Sequence, residues 1–398
     1  MQPVRSLKEF FQKGDVVLLL LCIAASLMGL VLIYSATRYD PAGLGDSAKK
    51  QAMFLCLGIV AYVWVTFIDI EFLMEKWWWV FLLLGLFVIA LIKPWGRDDG
   101  TGNKSWVFLP VIGNYFGFQP GEIAKLSYIV VLAWMINKAR PKGLGRFSAI
   151  VKYGILTCVF AGLLMVLSGD FGVALVYLFI FVIMAWVAGV SRWWFIGLGV
   201  PMVGGVVFVW HFILPRTRYW TDYRIMRFRV VVEHLKGNEI APLDDGWQQS
   251  RTLLAIGSGQ LTGQGWLQGR QTQSPRPDSL PVRHTDNIFA VCGEEFGLIG
   301  CCAVLLVLLA IVLRCVWVSR RAKSHMSAYI AMGIAGMIMT QTIINVAMNL
   351  YVGPVIGLTL PFFSYGGSST LTLFIAMGLV SGIKMRPLPS WLKDRSEL

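Results

Sequence analysis

His284-Thr285-Asp286-Asn287-Ile288-Phe289-Ala290-Val291-Cys292-Gly293-Glu294-Glu295-Phe296-Gly297-Leu298-Ile299-Gly300 sets three carboxylates and a histidine at the mouth of an apolar run that continues to about residue 317. A helix needs roughly 20 apolar residues to cross a bilayer, and this run has them. A carboxylate inside such a span is costly and must face a partner, a cavity or water. Asp286 stands where the span meets a long polar loop, so the acid belongs to the membrane surface.

The rest of the chain has the same character. Of 398 residues, 56% are hydrophobic and 14% charged, with a mean hydropathy of +0.65. A soluble domain is closer to half apolar and a quarter charged. Ten apolar spans can be read, at about 16–37, 51–68, 77–93, 120–137, 149–167, 171–190, 192–214, 287–317, 327–350 and 367–385. Their length fits helices rather than barrel strands. The expected fold is therefore an all-α polytopic membrane protein of about ten transmembrane helices, a single domain over 1–398. The first span reads as a retained helix, not a removed signal peptide, because no small-residue cleavage site and soluble domain follow it.

The net charge is +13. Loop bias and contact with anionic membrane lipids account for much of it. Nucleic-acid binding is excluded, since no basic domain stands clear of the membrane. The seven cysteines all fall in apolar runs and read as small hydrophobes, without zinc or disulfide spacing. Basic residues cluster at Arg5, Lys8 and Lys13; at Lys138, Arg140, Lys142 and Arg146; at Arg320, Arg321 and Lys323; and at Lys384, Arg386, Lys393 and Arg395. Ten spans put all four clusters on one side, which makes both termini cytoplasmic.

The opposite side holds two long segments, about 94–118 and about 215–286. The second is the large extracytoplasmic loop between helices 7 and 8. Loops of that length are uncommon without a role. Tyr223–Leu235 within it reads as an amphipathic helix lying on the membrane, and 244–269 as turn-rich, with six glycines from Gly246 to Gly269.

Several segments, in order, resemble the SEDS family of bacterial cell-wall proteins, which serve shape, elongation, division and sporulation. They are Gly14-Asp15 with Gly29-Leu30 and Ile33-Tyr34-Ser35-Ala36; Gln119-Pro120-Gly121-Glu122-Ile123-Ala124-Lys125-Leu126; and Asp170-Phe171-Gly172. In the large loop come Gly246-Trp247-Gln248 and Ala255-Ile256-Gly257-Ser258-Gly259, then Gly263 and Gly265. Leu280-Pro281, His284-Thr285-Asp286 and Glu294-Glu295-Phe296-Gly297 follow, and Pro361-Phe362-Phe363-Ser364-Tyr365-Gly366-Gly367-Ser368-Ser369 ends the series. Single motifs are weak, but the ordered set spans nearly the whole chain.

The resemblance implies a peptidoglycan glycosyltransferase that polymerises lipid II into glycan strands at the outer face of the cytoplasmic membrane, with inversion. It implies a class B penicillin-binding protein as the transpeptidase partner. It also implies that Asp286 is the essential acid. Chemistry agrees, because a positioned carboxylate can take the proton of an acceptor hydroxyl as it attacks the anomeric carbon. Helix capping is the plainer role for an acid at that place. His284 could orient Asp286 or touch substrate. Glu294, eight residues or roughly two turns after Asp286, is expected to share a helical face with it. Glu122 and Lys125, three apart, suit either an ion pair or a polar cavity for substrate. Asp170 suits a helix cap or the same cavity. Arg224 and Arg251 are the favoured pair for the leaving pyrophosphate, with lipid headgroups as the alternative target. Trp106 lies in a loop expected to touch partner or substrate. No cofactor is demanded by these residues. A divalent cation, Mg or Mn, could assist the leaving group, but no carboxylate cluster marks a metal site and Asp244-Asp245 is isolated.

The chain departs from the family pattern at several places. Val282 replaces a glutamate, Asn287 a phenylalanine, and Ser105 an arginine before Trp106. Arg251-Thr252 stands for Gln-Ser, and Val230-Val231-Val232-Glu233-His234 for an Asn-Pro-Trp segment. The rod-shape branch is suggested by Gly357-Leu358-Thr359-Leu360-Pro361 and the short tails. Two other classes fit the composition. A lipid II flippase would use the intramembrane acids and lysine, but it needs alternating access rather than an acid held at one face. A non-catalytic scaffold would tolerate loss of Asp286.

Overall fold

A computed structural model describes residues 7–39, 46–97, 103–108, 117–213, 216, 223–237, 246–276 and 279–386. The helices in chain order are α1 (Leu7–Lys13), α2 (Val16–Thr37), α3 (Ser47–Thr66), α4 (Ile70–Ala90), α5 (Ile92–Trp95), α6 (Pro120–Ala139), α7 (Phe147–Leu167), α8 (Phe171–Ala188), α9 (Arg192–Phe208), α10 (Tyr223–Leu235), α11 (Trp247–Ser258), α12 (Ile288–Arg321), α13 (His325–Asn349) and α14 (Gly367–Met385). Eight of the helical segments are long and apolar enough to cross a membrane. The two remaining expected spans are also helical. One is α9, shorter at 17 residues. The other is α6, which carries Glu122, Lys125 and Lys138. It packs against α4, α7, α8, α13 and α14, so it can hold polar side chains that a lipid-facing helix could not.

Helix starts follow capping chemistry. The side chains of Asp15, Asp69, Asp170 and Ser324 accept the backbone N–H of Leu18, Phe72, Val173 and Met326. The third span begins at Ile70, seven residues before the expected 77, and α4 bends at Trp77, whose backbone leaves helical geometry. The segment after α5 forms a small antiparallel sheet of β1 (Gly96–Arg97), β2 (Trp106–Phe108) and β3 (Gly117–Phe118), in that order. Large apolar side chains such as Val166 and Trp64 are 82% and 68% exposed. In a membrane-spanning bundle these face lipid.

The large loop is more ordered than its glycines suggest. The amphipathic helix expected at Tyr223–Leu235 is present as α10. The stretch expected to be turn-rich contains α11 over Trp247–Ser258, which buries Gln249, Thr252 and Ala255. That periodic face outweighs the flanking glycines.

The decisive irregularity lies in α12. It reads as one apolar span, but Gly297 adopts φ +65°, ψ −163° and splits it in two. Backbone groups freed at a break inside a membrane must find partners within the protein. Here the chain from Gln260 to Gly265 supplies them. The N–H groups of Leu298 and Ile299 donate to the carbonyls of Gln260 and Leu261 at 2.9 and 3.2 Å. Those of Gln264 and Gly265 donate to the carbonyls of Glu294 and Glu295 at 2.9 and 3.0 Å. So close an approach requires glycine: a Cβ at Gly259 would overlap the Gly293 carbonyl, and one at Gly263 the Glu295 carbonyl.

Glu294 and Glu295 extend the same lock. The Glu294 carboxylate accepts the N–H groups of Gln271 (2.7 Å) and Thr272 (2.9 Å) and the Thr272 hydroxyl (2.6 Å). Glu295 accepts the Ser35 hydroxyl at 2.6 Å and the Gln273 amide at 2.9 Å. The Arg283 guanidinium donates to the carbonyls of Thr272 and Ser274. Each carboxylate in the span thus has hydrogen-bond donors, as its depth demands.

Gly263→Ala should therefore disrupt the molecule. Its φ is +83°, and a side chain has no room. A destabilisation of about 3 kcal/mol or more is expected, read as loss of monodisperse protein after heating in detergent. Gly257→Ala, with no atom within 4 Å of the new methyl, should stay within about 0.5 kcal/mol of the parent.

Candidate functional site

Asp286 sits in the turn immediately before α12, partly exposed. It is not the capping residue. Asn287 takes the N-cap, and its amide donates instead to the Pro281 carbonyl at 2.7 Å. Because the helix begins at Ile288, helical spacing does not carry Asp286 onto the face of Glu294, contrary to the sequence expectation.

The backbone around Asp286 is clamped from two sides. From α13, the amides of Asn345 (2.9 Å) and Asn349 (3.1 Å) both donate to the Asp286 carbonyl, and Asn345 also donates to the Leu358 carbonyl at 2.7 Å. From the segment before α14, the Ser364 hydroxyl donates to the Thr285 carbonyl at 2.6 Å. The Tyr365 N–H donates to the His284 carbonyl at 2.9 Å. The His284 ring lies beside that of Tyr365, with centroids 5.8 Å apart. Gly357, at φ +71°, would place a Cβ 3.8 Å from the Asp286 carboxylate. Val282 just upstream takes φ +48°, a rare and strained conformation for a β-branched residue. Its carbonyl accepts the N–H groups of Thr285 and Asn287. Sequence reading did not single out Asn345 or Asn349. The available signal was two asparagines four apart in an otherwise apolar span.

A polar line continues inward along α13. Gln341, one turn before Asn345, donates to Glu122 at 3.4 Å. Glu122 in turn receives Lys125 Nζ at 2.6 Å, and the two side chains are 3% and 0% exposed. They form the close buried ion pair that the spacing allowed. Asp170 caps α8 through Val173, and its other oxygen accepts the Ser105 hydroxyl and the Gln119 amide, both at 3.2 Å. Burial pushes its carboxyl up to about 6 against the bonds from Val173 and Ser105. Ser105, standing where the family pattern has arginine, thus links the segment between α5 and α6 to α8. Trp106 is half-buried in β2.

Of the two favoured arginines, Arg251 is exposed on α11. Arg224 opens α10, but its side chain lies outside the described residues, as does Asp244-Asp245. Among the described residues Arg227 reaches the Asp286 region, donating to the Val355 carbonyl at 3.1 Å, two residues before Gly357. The replaced Asn-Pro-Trp segment has its own packing. His234 stacks on Tyr351 at 3.9 Å and 2°, and Val230 and Val231 bury against the same tyrosine. Among the described residues no three His, Cys, Asp or Glu side chains gather as a metal centre.

Residues 15–387 match the family model for FtsW, RodA and SpoVE, described as cell cycle proteins. The chain belongs to this family. It is 31% identical over 381 residues to a probable peptidoglycan glycosyltransferase FtsW of Geobacter sulfurreducens, covering 94% of this chain and 96% of the other. It is 28% identical over 381 residues to the peptidoglycan glycosyltransferase MrdB of Escherichia coli K12, covering 94% and 95%. Among solved structures, one described as coordinating polymerization and crosslinking in a peptidoglycan synthase complex matches with TM-score 0.75 and 26% identity, over 93% of this chain and 97% of that one. Family membership and the apolar helices make this a multi-pass protein of the bacterial inner membrane.

The buried pair offers a test of the inner site. Removing one partner strands a charge in the bundle, so Glu122→Gln should cost about 3–5 kcal/mol. The double change Glu122→Gln with Lys125→Met should cost less than the single change. Thermal unfolding of the detergent-solubilised variants measures both.

Proposed function

We propose that the chain is an inverting peptidoglycan glycosyltransferase in which Asp286 is the general base. The observation that carries this reading is the clamp on residues 284–286. It leaves a carboxylate at the membrane surface while four side-chain and main-chain donors hold the backbone that bears it. A pre-set carboxylate is what the chemistry requires. The acceptor sugar's hydroxyl attacks the anomeric carbon of a lipid-linked donor, its proton passes to Asp286, and the bond from that carbon to the pyrophosphate oxygen breaks with inversion. Holding both sugars in line removes much of the entropic barrier.

The substrate of this reading is lipid II, supported by the names of the family relatives. Both termini are cytoplasmic by the distribution of lysine and arginine, which turns Asp286 and the large loop outward. Arg224, Arg227 and Arg251 lie on the two loop helices, where fixed positive charge could stabilise the departing pyrophosphate. His284, fixed against Tyr365, lines the approach to Asp286. Glu122, Lys125 and Asp170 support the bundle beneath. A divalent cation would act through the pyrophosphate oxygens on the leaving-group side, opposite Asp286, and among the described residues no carboxylate cluster marks a place for it. A class B penicillin-binding protein would dock on the apolar flank and reach the β1–β3 segment near Trp106. The synthase complex among the structural matches supports such a partner.

Two variants test the reading in a polymerisation assay with labelled lipid II, a divalent cation and a transpeptidase partner whose own chemistry is blocked. Asp286→Asn should fold and bind its partner yet make no strands; wild-type strand yield would overturn the assignment. Translocation of lipid II into vesicles without strand synthesis would favour the flippase class. Asn345→Leu leaves Asp286 in place but removes one of the four donors from its clamp, together with the bond from the same amide to the Leu358 carbonyl. Turnover should fall roughly 100-fold, the cost of a misplacement of about 1 Å, with little change in KM for lipid II.

A further inference from the structure

The far end of α12 carries a feature that the glycosyltransferase reading does not use. Leu306, Leu309 and Leu313 are each at least half exposed and follow one another at helical spacing, so they form a lipid-facing stripe. One turn beyond Leu313 the stripe reaches Trp317. The guanidinium groups of Arg314 and Arg321 lie 4.1 and 4.2 Å from its ring centroid. Arg320 and Arg321 are exposed at the helix end, with exposed Lys323 just beyond.

Positive charge is in excess there. Buried Asp15 accepts Arg314 through both oxygens, at 2.9–3.1 Å, and Lys384 lies 3.6 Å from the same carboxylate. Two cations therefore share one anion. Among the described residues Arg320, Arg321 and Lys323 have no carboxylate partner. An indole flanked by guanidinium groups at the end of an apolar stripe matches a diacyl phospholipid in outline. The acyl chains would lie along the leucines, the glycerol region against Trp317, and the phosphate among the arginines. The tie between Arg314 and Asp15 fixes one side of the indole, so the site is partly pre-formed.

We propose that this surface is a specific site for one anionic phospholipid, with Arg320 and Arg321 holding the headgroup phosphate. The proposal is independent of the role of Asp286. A zwitterionic lipid carries the same phosphate with a covering cation and binds less well. Guanidinium forks prefer phosphate geometry to a bare ammonium's point contact.

The test uses the full chain in detergent, washed free of lipid and then titrated with phosphatidylglycerol or phosphatidylcholine and read by native mass spectrometry. The parent should retain phosphatidylglycerol about thirty-fold better than phosphatidylcholine, given about 1 kcal/mol for each of the two arginines near the surface. The double variant Arg320→Gln with Arg321→Gln should lose that preference. Its thermal midpoint in phosphatidylcholine should lie close to the parent's, because both residues are exposed and only the contact of Arg321 with Trp317 is lost. Phosphatidylglycerol should raise the midpoint of the parent alone. Equal preference in parent and variant, or no preference in the parent, overturns the site. Complete displacement of the lipid by millimolar inorganic phosphate also overturns it, since a bare anion would then account for the binding.

Discussion

The constraint on which this molecule turns is that a helix broken inside a membrane cannot leave its backbone unpaired. The left-handed residue at Gly297 interrupts α12 and frees carbonyls on one side and N–H groups on the other. With no water in the hydrocarbon to take them, the structure folds part of its large loop back against the break. Gln260–Gly265 thereby acts as a bracket, and Gly259 and Gly263 let its backbone meet that of α12 directly. Glu294 and Glu295, which would be liabilities in lipid, become the acceptors that hold the returning chain at Gln271–Gln273.

The geometry on the large-loop side of the bundle follows from that bracket. It leaves the first part of α12 short, from Ile288 to the break, and it fixes the segment that leads into it. Asp286 is therefore carried by a turn whose two flanks are both anchored, one to the loop and one to α13 and the segment before α14. A mobile loop could bring a carboxylate to the same place but would give up conformational entropy to hold it there. In this fold the turn is already ordered by its own hydrogen bonds. On α13 the asparagines hold the turn that bears Asp286, and Gln341, one turn along the same helix, meets the Glu122–Lys125 pair. One helix thus carries polar side chains toward both the acid and the buried ion pair.

Much of this was legible in the residues, for reasons that can be named. The spans follow from hydropathy, α10 from a basic amphipathic pattern, and the Glu122–Lys125 contact from a spacing of three on a helix. The ordered motifs located Asp286. The break in α12 was not legible, because Gly297 lies in an apolar run and glycine in a span usually marks close packing rather than a turn. Nor was α11, whose glycine-rich flanks hid a helix stabilised only once Ala255 and Thr252 found the bundle. Asn345 and Asn349 gave no sign of their target, since their partners are main-chain carbonyls that carry no side-chain signature. Arg227 was one basic residue among many until the backbone brought it to Val355. Local pattern exposes what a helix does with itself, whereas these contacts depend on where distant segments return.

Asp15 has a consequence for how such a chain comes into being. Its carboxylate caps the first span, yet its ion-pair partner Arg314 follows 299 residues later and Ser381, which its N–H meets, 366 residues later. At a ribosome speed of about 5–20 residues per second, the earliest helix waits roughly 15–60 s for Arg314 to be made. Throughout that interval a carboxylate destined for burial must stay at the aqueous edge of the bilayer. The first helix therefore gains its full set of partners only after the last has been made, and a chain cut short before Lys384 leaves the beginning of the protein unfinished as well as its end.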